Sequence, residues 1–237
     1  MSDVNVRRWT GAFGVAAGVL LLVELGLYFA AGTPPKLEDT IKFSDYVTKN
    51  NDIFLTATLG AALSGACIIV LLAGFRNLIR RARSEYEWAS MLVFGVGLVD
   101  AALILVFGTL IGGATLDTVS KAEPAVVRAL FEGSILIGGS VGLITDALLF
   151  ASAGYAILGT SALPKWTGWA SYAAAILDLV AVPSIYGGTD PSGFYTAFGY
   201  APLILGTFPF VVWLFIIGIS MMVVKHEVIA PTPVQQR

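Results

Sequence analysis

Four acids stand inside otherwise apolar stretches of this chain: Glu24 in LLLVELGLYF, Asp100 in GVGLVDAALILVF, Asp146 in GLITDALLFASAGY and Asp178 in AAAILDLVAVP. An ionised aspartate at the centre of a bilayer-spanning helix costs at least ~2.5–3.5 kcal/mol, so four would cost on the order of 10 kcal/mol if they neither paired nor took up a proton. No lysine or arginine stands at that depth to neutralise them. Serine or asparagine would fix helix register at a lower penalty. We therefore expect Asp100, Asp146, Asp178 and Glu24 to share protons or a bound cation, and to form a ligand- or ion-binding site in a small polar cavity.

Three functions follow from such a cluster. Mid-membrane carboxylates are where proton- and sodium-coupled carriers bind their ion, and ion or small-ligand binding coupled to proton movement is the reading favoured here. A protonated carboxylic acid in an apolar pocket is also a general acid. It could protonate an isoprenoid or other lipid and start a cyclisation or isomerisation, with Tyr28, Phe94, Phe107, Phe150, Tyr172 and Trp213 available to a carbocation. The third is a non-catalytic scaffold or assembly partner in which the acids only hold the bundle together. Partners are then the lipid bilayer and a small-molecule, proton or lipid ligand, with oligomers open.

Other chemistries lack their residues. With one histidine, His226, and one cysteine, Cys67, a histidine-ligated metal or haem centre and an internal disulfide are excluded. No metal and no cofactor is expected. There is no prenyl-diphosphate NDxxD motif, no Walker motif, no GxSxG and no HExxH, and the last apolar stretch has no lysine for a retinal Schiff base. A net charge of −2 carries no nucleic-acid footprint.

The elements that must position the acids are helices. Of 237 residues, 57% are hydrophobic and 13% charged, against about 25% charged in a soluble domain. Mean hydropathy is +0.82. Six stretches reach the ~20 apolar residues of a membrane span: about 9–31, 53–75, 88–114, 130–158, 167–186 and 201–224. The first is too long for a signal-peptide core and is read as a retained span. The fold class is thus all-α, a polytopic transmembrane bundle of six helices forming one domain over 1–237. Asp100, Asp146 and Asp178 fall near mid-span, and Glu24 about four residues further out, roughly 6 Å.

Basic residues orient the chain. With both termini in the cytoplasm, the inside holds Arg7, Arg8, Arg76, Arg80, Arg81, Arg83, Lys165, Lys225 and Arg237, and the outside only Lys36, Lys42, Lys49, Lys121 and Arg128. The positive-inside rule gives N-in, C-in in a cytoplasmic (inner) membrane. Trp9, Trp88, Trp166 and Trp169 stand at span ends as an interfacial belt.

Local patterns sharpen the picture. Pro34 and Pro35 stop the first span, and a short amphipathic helix is expected beyond it, with Leu37, Ile41 and Val47 towards the membrane. Asp190-Pro191-Ser192-Gly193 predicts a turn, while Phe194, Tyr195, Phe198 and Tyr200 read as belt residues more than as a lid. Gly14/Gly18 and Gly138/Gly142 are small-xxx-small pairs for close helix packing. Pro183 and Pro209 are expected to kink spans five and six. Glu132, Gly139 and Asp146, seven apart, predict one shared face. Ser64, Thr56, Thr109, Ser134 and Thr145 offer hydroxyls to the acids.

The stretch TSALPKWTGWASYAA (160–174) carries a Leu-Pro-basic-Trp-x-Gly-Trp turn, at Leu163, Pro164, Lys165, Trp166, Gly168 and Trp169. With the RRWTG start and the arginine-rich second loop, it resembles a bacterial, actinobacterial-type family of six-helix integral membrane proteins of unassigned function. The resemblance covers nearly the whole chain and implies topology, not chemistry.

Overall fold

The structure, a computed structural model, describes residues 3–116 and 123–223. Lys121, Lys225, His226 and Arg237, used in the arguments above, lie outside the described residues. Within them every regular element is helical: α1 (Asp3–Ala30), α2 (Thr40–Lys49), α3 (Asn51–Ala82), α4 (Glu87–Thr115), α5 (Pro124–Leu136), α6 (Gly142–Thr160), α7 (Lys165–Ala181) and α8 (Phe208–Val223). A wide turn at Ile137–Val141 joins α5 to α6, a tight turn at Val182–Gly187 continues α7, and a wide turn at Pro202–Thr207 leads into α8.

Six stretches are long and apolar enough to cross a membrane: Asn5–Ala30, Asn51–Ala82, Ser84–Thr115, Pro124–Thr160, Lys165–Gly187 and Pro202–Val223. They match the six expected spans. The second runs seven residues past its expected end at 75, because arginine is a good helix former and the helix continues through Arg76, Arg80 and Arg81 after the apolar run stops.

The helices form a closed ring in chain order. α1 packs on α3, α3 on α4, α4 on α6, α6 on α7, and α8 closes the ring against α1. Small residues set the close approaches. A Cβ on Gly11 would stand 2.6 Å from the Gly218 carbonyl oxygen, and one on Gly14 2.9 Å from Leu71. Gly14 and Gly18 therefore pack within the chain, as expected of such a pair. Of the second pair, Gly138 packs closely on α4, where a Cβ would stand 2.7 Å from the Phe107 ring, whereas a Cβ on Gly142 would meet the Ile137 carbonyl of its own wide turn, at 2.8 Å.

The two ends of the ring differ. One holds the start of α1, the α3–α4 junction, the α6–α7 junction and the end of α8. It is filled by Leu71, Leu72, Phe75, Phe150, Ile157 and Trp213. Trp9, Trp88, Trp166 and Trp169 lie exposed at this same end. The other end carries the connections 31–50 and 187–201. There α2 departs from expectation. Leu37, Phe43 and Val47 are fully buried in protein, against Phe54, Val127 and Phe131, and only Ile41 faces outward. Its apolar stripe had a protein partner in the tips of α3 and α5, which periodicity alone does not distinguish from lipid.

Candidate functional site

The cavity end encloses a space of about 480 Å³, within the range of ligand pockets. It reaches from mid-helix out to the two long connections. Glu24 on α1, Asp100 on α4 and Asp146 on α6 all line it. Three of the four expected acids thus converge on one space. The fourth, Asp178 on α7, does not line it. It lies fully buried behind the wall, facing the wide turn before α8, where a Cβ on Gly206 would come 3.7 Å from its Oδ1.

Asp100 and Asp146 form the centre of the group. Both line the cavity, and the Thr145 hydroxyl, one residue before Asp146, lies 3.4 Å from Asp100 Oδ1 and 2.7 Å from the Gly142 carbonyl of its own helix. Asp100 Oδ2, Asp146 Oδ1 and both oxygens of Asp178 are buried with no hydrogen-bond partner. Glu24 forms a separate arm, with Tyr28 donating to its Oε1 at 3.4 Å while Oε2 has no partner. Orphaned buried oxygens are uncommon in proteins and ask for an explanation.

Of the five hydroxyls expected to serve the acids, only Thr145 comes within 3.4 Å of one, and its shorter bond, at 2.7 Å, is to the Gly142 carbonyl of its own helix. Ser64, Thr56, Thr109 and Ser134 donate back to carbonyls of their own helices, at 2.9, 2.7, 2.7 and 2.8 Å. The local acceptor three or four residues back is always within reach in a helix, so it wins over a carboxyl on a neighbour.

The helix carrying Asp146 is broken just before it. Gly139, at φ −94° and ψ −119°, is non-helical inside the wide turn. Wide turns of this kind concentrate at functional sites. The break also overturns the seven-residue face: Glu132 no longer registers with Asp146 and instead pairs with Arg128 at 2.7 Å on the surface. Gly138, Gly139 and Gly142 line the cavity from one side, and Pro202, Leu203 and Thr207 of the second wide turn line it from another. The sequence signals for these breaks were the cluster of small residues GGSVG (138–142), whose Gly138 and Gly142 were read above as a packing pair, and Pro202, which was not singled out. The kink expected at Pro209 is realised as the wide turn that ends just before it.

The walls are aromatic. Tyr28, Phe54, Phe107, Phe131, Phe198 and Phe210 line the space together with Tyr46 and Tyr200. Phe131 is fixed by edge contacts to Phe43 at 4.9 Å and Phe54 at 5.6 Å. Of the six aromatics expected near the acids, Tyr28 and Phe107 line the cavity. Phe94, Phe150, Tyr172 and Trp213 are not among its walls. Phe150 and Trp213 pack on each other in the opposite end, with the indole N–H donating to Ser171 at 2.9 Å.

The mouth is built by two loops. Gly32, with φ +82°, ends α1 and turns the chain into Thr33 and Pro34, and Tyr46 donates to the Gly32 carbonyl at 3.0 Å. Gly188, with φ +79°, opens the second loop. Its turn at Asp190–Gly193 forms as expected, closed by the Gly193 N–H on the Asp190 carbonyl at 3.1 Å. Lys36 of the first loop and Asp190 of the second are joined by an ion pair at 2.6 Å. The hydrogen bonds from Lys36 and Ser192 hold the Asp190 carboxyl well below the usual aspartate range. Phe198 and Tyr200 line the cavity, whereas Phe194 and Tyr195 are exposed, and Tyr195 donates to the Val180 carbonyl. The loop is thus part lid and part surface.

Comparison with protein-family models, curated proteins and solved structures finds no match for this chain.

Proposed function

We propose that this chain is a multi-pass protein of the cytoplasmic membrane, with both termini inside, that binds a small ligand or ion at the Asp100–Asp146 pair and couples binding to proton movement, as a carrier does. One observation carries the reading: two carboxyls, that of Asp100 buried and that of Asp146 partly so, line a 480 Å³ cavity that runs from mid-helix to one end of the bundle. Holding several acids without a basic partner is costly. A pair that passes a proton on when a ligand arrives gives that cost a use.

The orientation follows the positive-inside rule. Arg7, Arg8, Arg76, Arg80, Arg81, Arg83 and Lys165 all stand at the packed end, so the cavity mouth faces out. The resemblance at Leu163–Trp169 bears on this threading alone.

The test is native mass spectrometry of the purified protein beside Asp146→Asn, followed by proton flux in liposomes. A co-purifying small molecule that is lost in the variant, or a flux that the variant abolishes, is the expected result. A wild type that is both empty and silent in flux would sink the reading, and a co-purifying lipid found chemically altered would replace it with catalysis.

A further inference from the structure

The inference rests on the binding reading above and concerns what the cavity holds. Among the described residues, the cavity wall includes three carboxyl side chains, those of Glu24, Asp100 and Asp146, and no lysine, arginine or histidine. Asp100 and Glu24 are both more than nine-tenths buried, at 3% and 6% exposure, and each presents an oxygen with no partner, Oδ2 and Oε2. Asp146 Oδ1 makes a third.

These are acceptors without donors. Of the hydroxyls in the wall, Tyr28 donates to Glu24 Oε1, Tyr46 to the Gly32 carbonyl and Ser134 to the Phe131 carbonyl, and those of Thr33, Tyr200 and Thr207 reach none of the three oxygens. A neutral ligand with one hydroxyl would satisfy one orphan oxygen. A carboxylate or phosphate ligand would add like charge to a group that already lacks a counter-charge. An ammonium has up to three N–H donors and a positive charge, and so answers both deficits. The remainder of the wall is aromatic, which suits an apolar body and adds cation–π attraction for the charged head.

We propose that the cavity takes a lipophilic organic amine in its ammonium form, with the head at Asp100 and Asp146, within reach of the Glu24 arm, and the apolar body between the rings of Phe54, Phe107 and Phe131. Glu24 and Tyr28 on α1 and Tyr46 of α2 line the same cavity, Asp178 on α7 lies behind its wall, and none of them is basic. Acids held in an apolar interior without a counter-charge keep a proton, and the ammonium takes the place of that proton at Asp100 and Asp146. One positive charge enters as one leaves, so the buried charge is unchanged. Binding should release about one proton per amine.

The experiment uses the full chain in lipid nanodiscs with two probes of one shape, 1-naphthylmethylamine and 1-naphthylmethanol, titrated at pH 7 by calorimetry in two buffers of different ionisation enthalpy. The expected result is saturable amine binding at least about tenfold tighter than the alcohol, with proton release. Asp100→Asn/Asp146→Asn should bind amine no better than alcohol. Glu24→Gln, at the outer arm, should lose part of the preference and serves if the double variant does not fold. Equal binding of the two probes to wild type would overturn the amine assignment and leave the cavity reading standing. Saturable binding of neither probe would overturn both. A double variant that keeps the tenfold preference would overturn the role given to the acid pair.

Discussion

The two ends of this bundle are built from the same six helices and obey different rules. At the packed end, small residues bring backbones together, as where α1 meets α8 at Gly11 and Gly218, and large side chains fill what remains. Trp213 is nearly fully buried, its ring tilted against Phe150 at 5.1 Å, with its N–H satisfied by Ser171. At the cavity end the helices bow around a 480 Å³ space, two of them are interrupted by wide turns, and buried oxygens go unpaired. The difference teaches that tight packing and open cavity are separated along the helix axis. One end is packed tightly enough to tolerate strain and orphaned acids at the other.

The comparison can be broken most directly by truncation on both sides. Trp213→Ala should destabilise by about 3–5 kcal/mol, as large-to-small changes in filled cores do. Phe131→Ala should fall at or below the lower end of that range, because its ring already borders empty space and removal opens little new void. Thermal unfolding in detergent measures both, and an equal loss would erase the distinction between the ends.

A middle-sized effect comes from the acids. Asp100→Asn and Asp146→Asn replace a carboxyl by an amide of the same shape. If the pair serves binding, each should change stability by less than about 1 kcal/mol, in either direction, while abolishing ligand uptake. A loss of about 3 kcal/mol or more with uptake intact would make the acids a structural keystone instead.

The smallest effect is at the mouth. Lys36→Ala should leave the melting temperature unchanged, since exposed ion pairs contribute little, but should speed hydrogen exchange of the 188–200 loop. The pH dependence has a definite sign. Asp190 is depressed by Lys36 and Ser192, so its contribution is fully present above the unfolded aspartate value of about 3.9 and is lost as pH falls through the lower folded value. Lys36 is raised by Asp190, so its side of the pair fails only as pH climbs beyond the ordinary lysine range. Loop protection, corrected for intrinsic exchange, should therefore be flat through neutral pH and drop only in strong acid. A drop near pH 6 would show that the pair is not what ties the loops.

Much of this architecture was legible because apolar helices announce themselves. A run of about twenty apolar residues has no other way to satisfy its backbone in an apolar medium, so six helices, their approximate ends and the exposed tryptophans could be read directly. So could the four acids, since a carboxylate in such a run is conspicuous whatever surrounds it. The seven-residue register of Glu132, Gly139 and Asp146 could not be trusted, because it assumed an unbroken helix and Gly139 breaks it. The destination of Ser64 and Ser134 was also hidden, since a hydroxyl in a helix chooses between its own carbonyls and a neighbour's acid only once the neighbour's distance is set.

What the sequence by itself determined is therefore composition along the helix axis: which segments are helices, how many could cross a membrane, and that four acids lie near the same depth. What only the tertiary structure decided is rotation and company. It placed Glu24, Asp100 and Asp146 around one cavity, set Asp178 behind its wall, and turned Leu37 and Val47 of the first connection into protein core. The reason is that hydrophobicity fixes depth to within a turn of helix, whereas the direction a side chain points depends on close approaches at small residues and on breaks such as Gly139, which no single helix reveals.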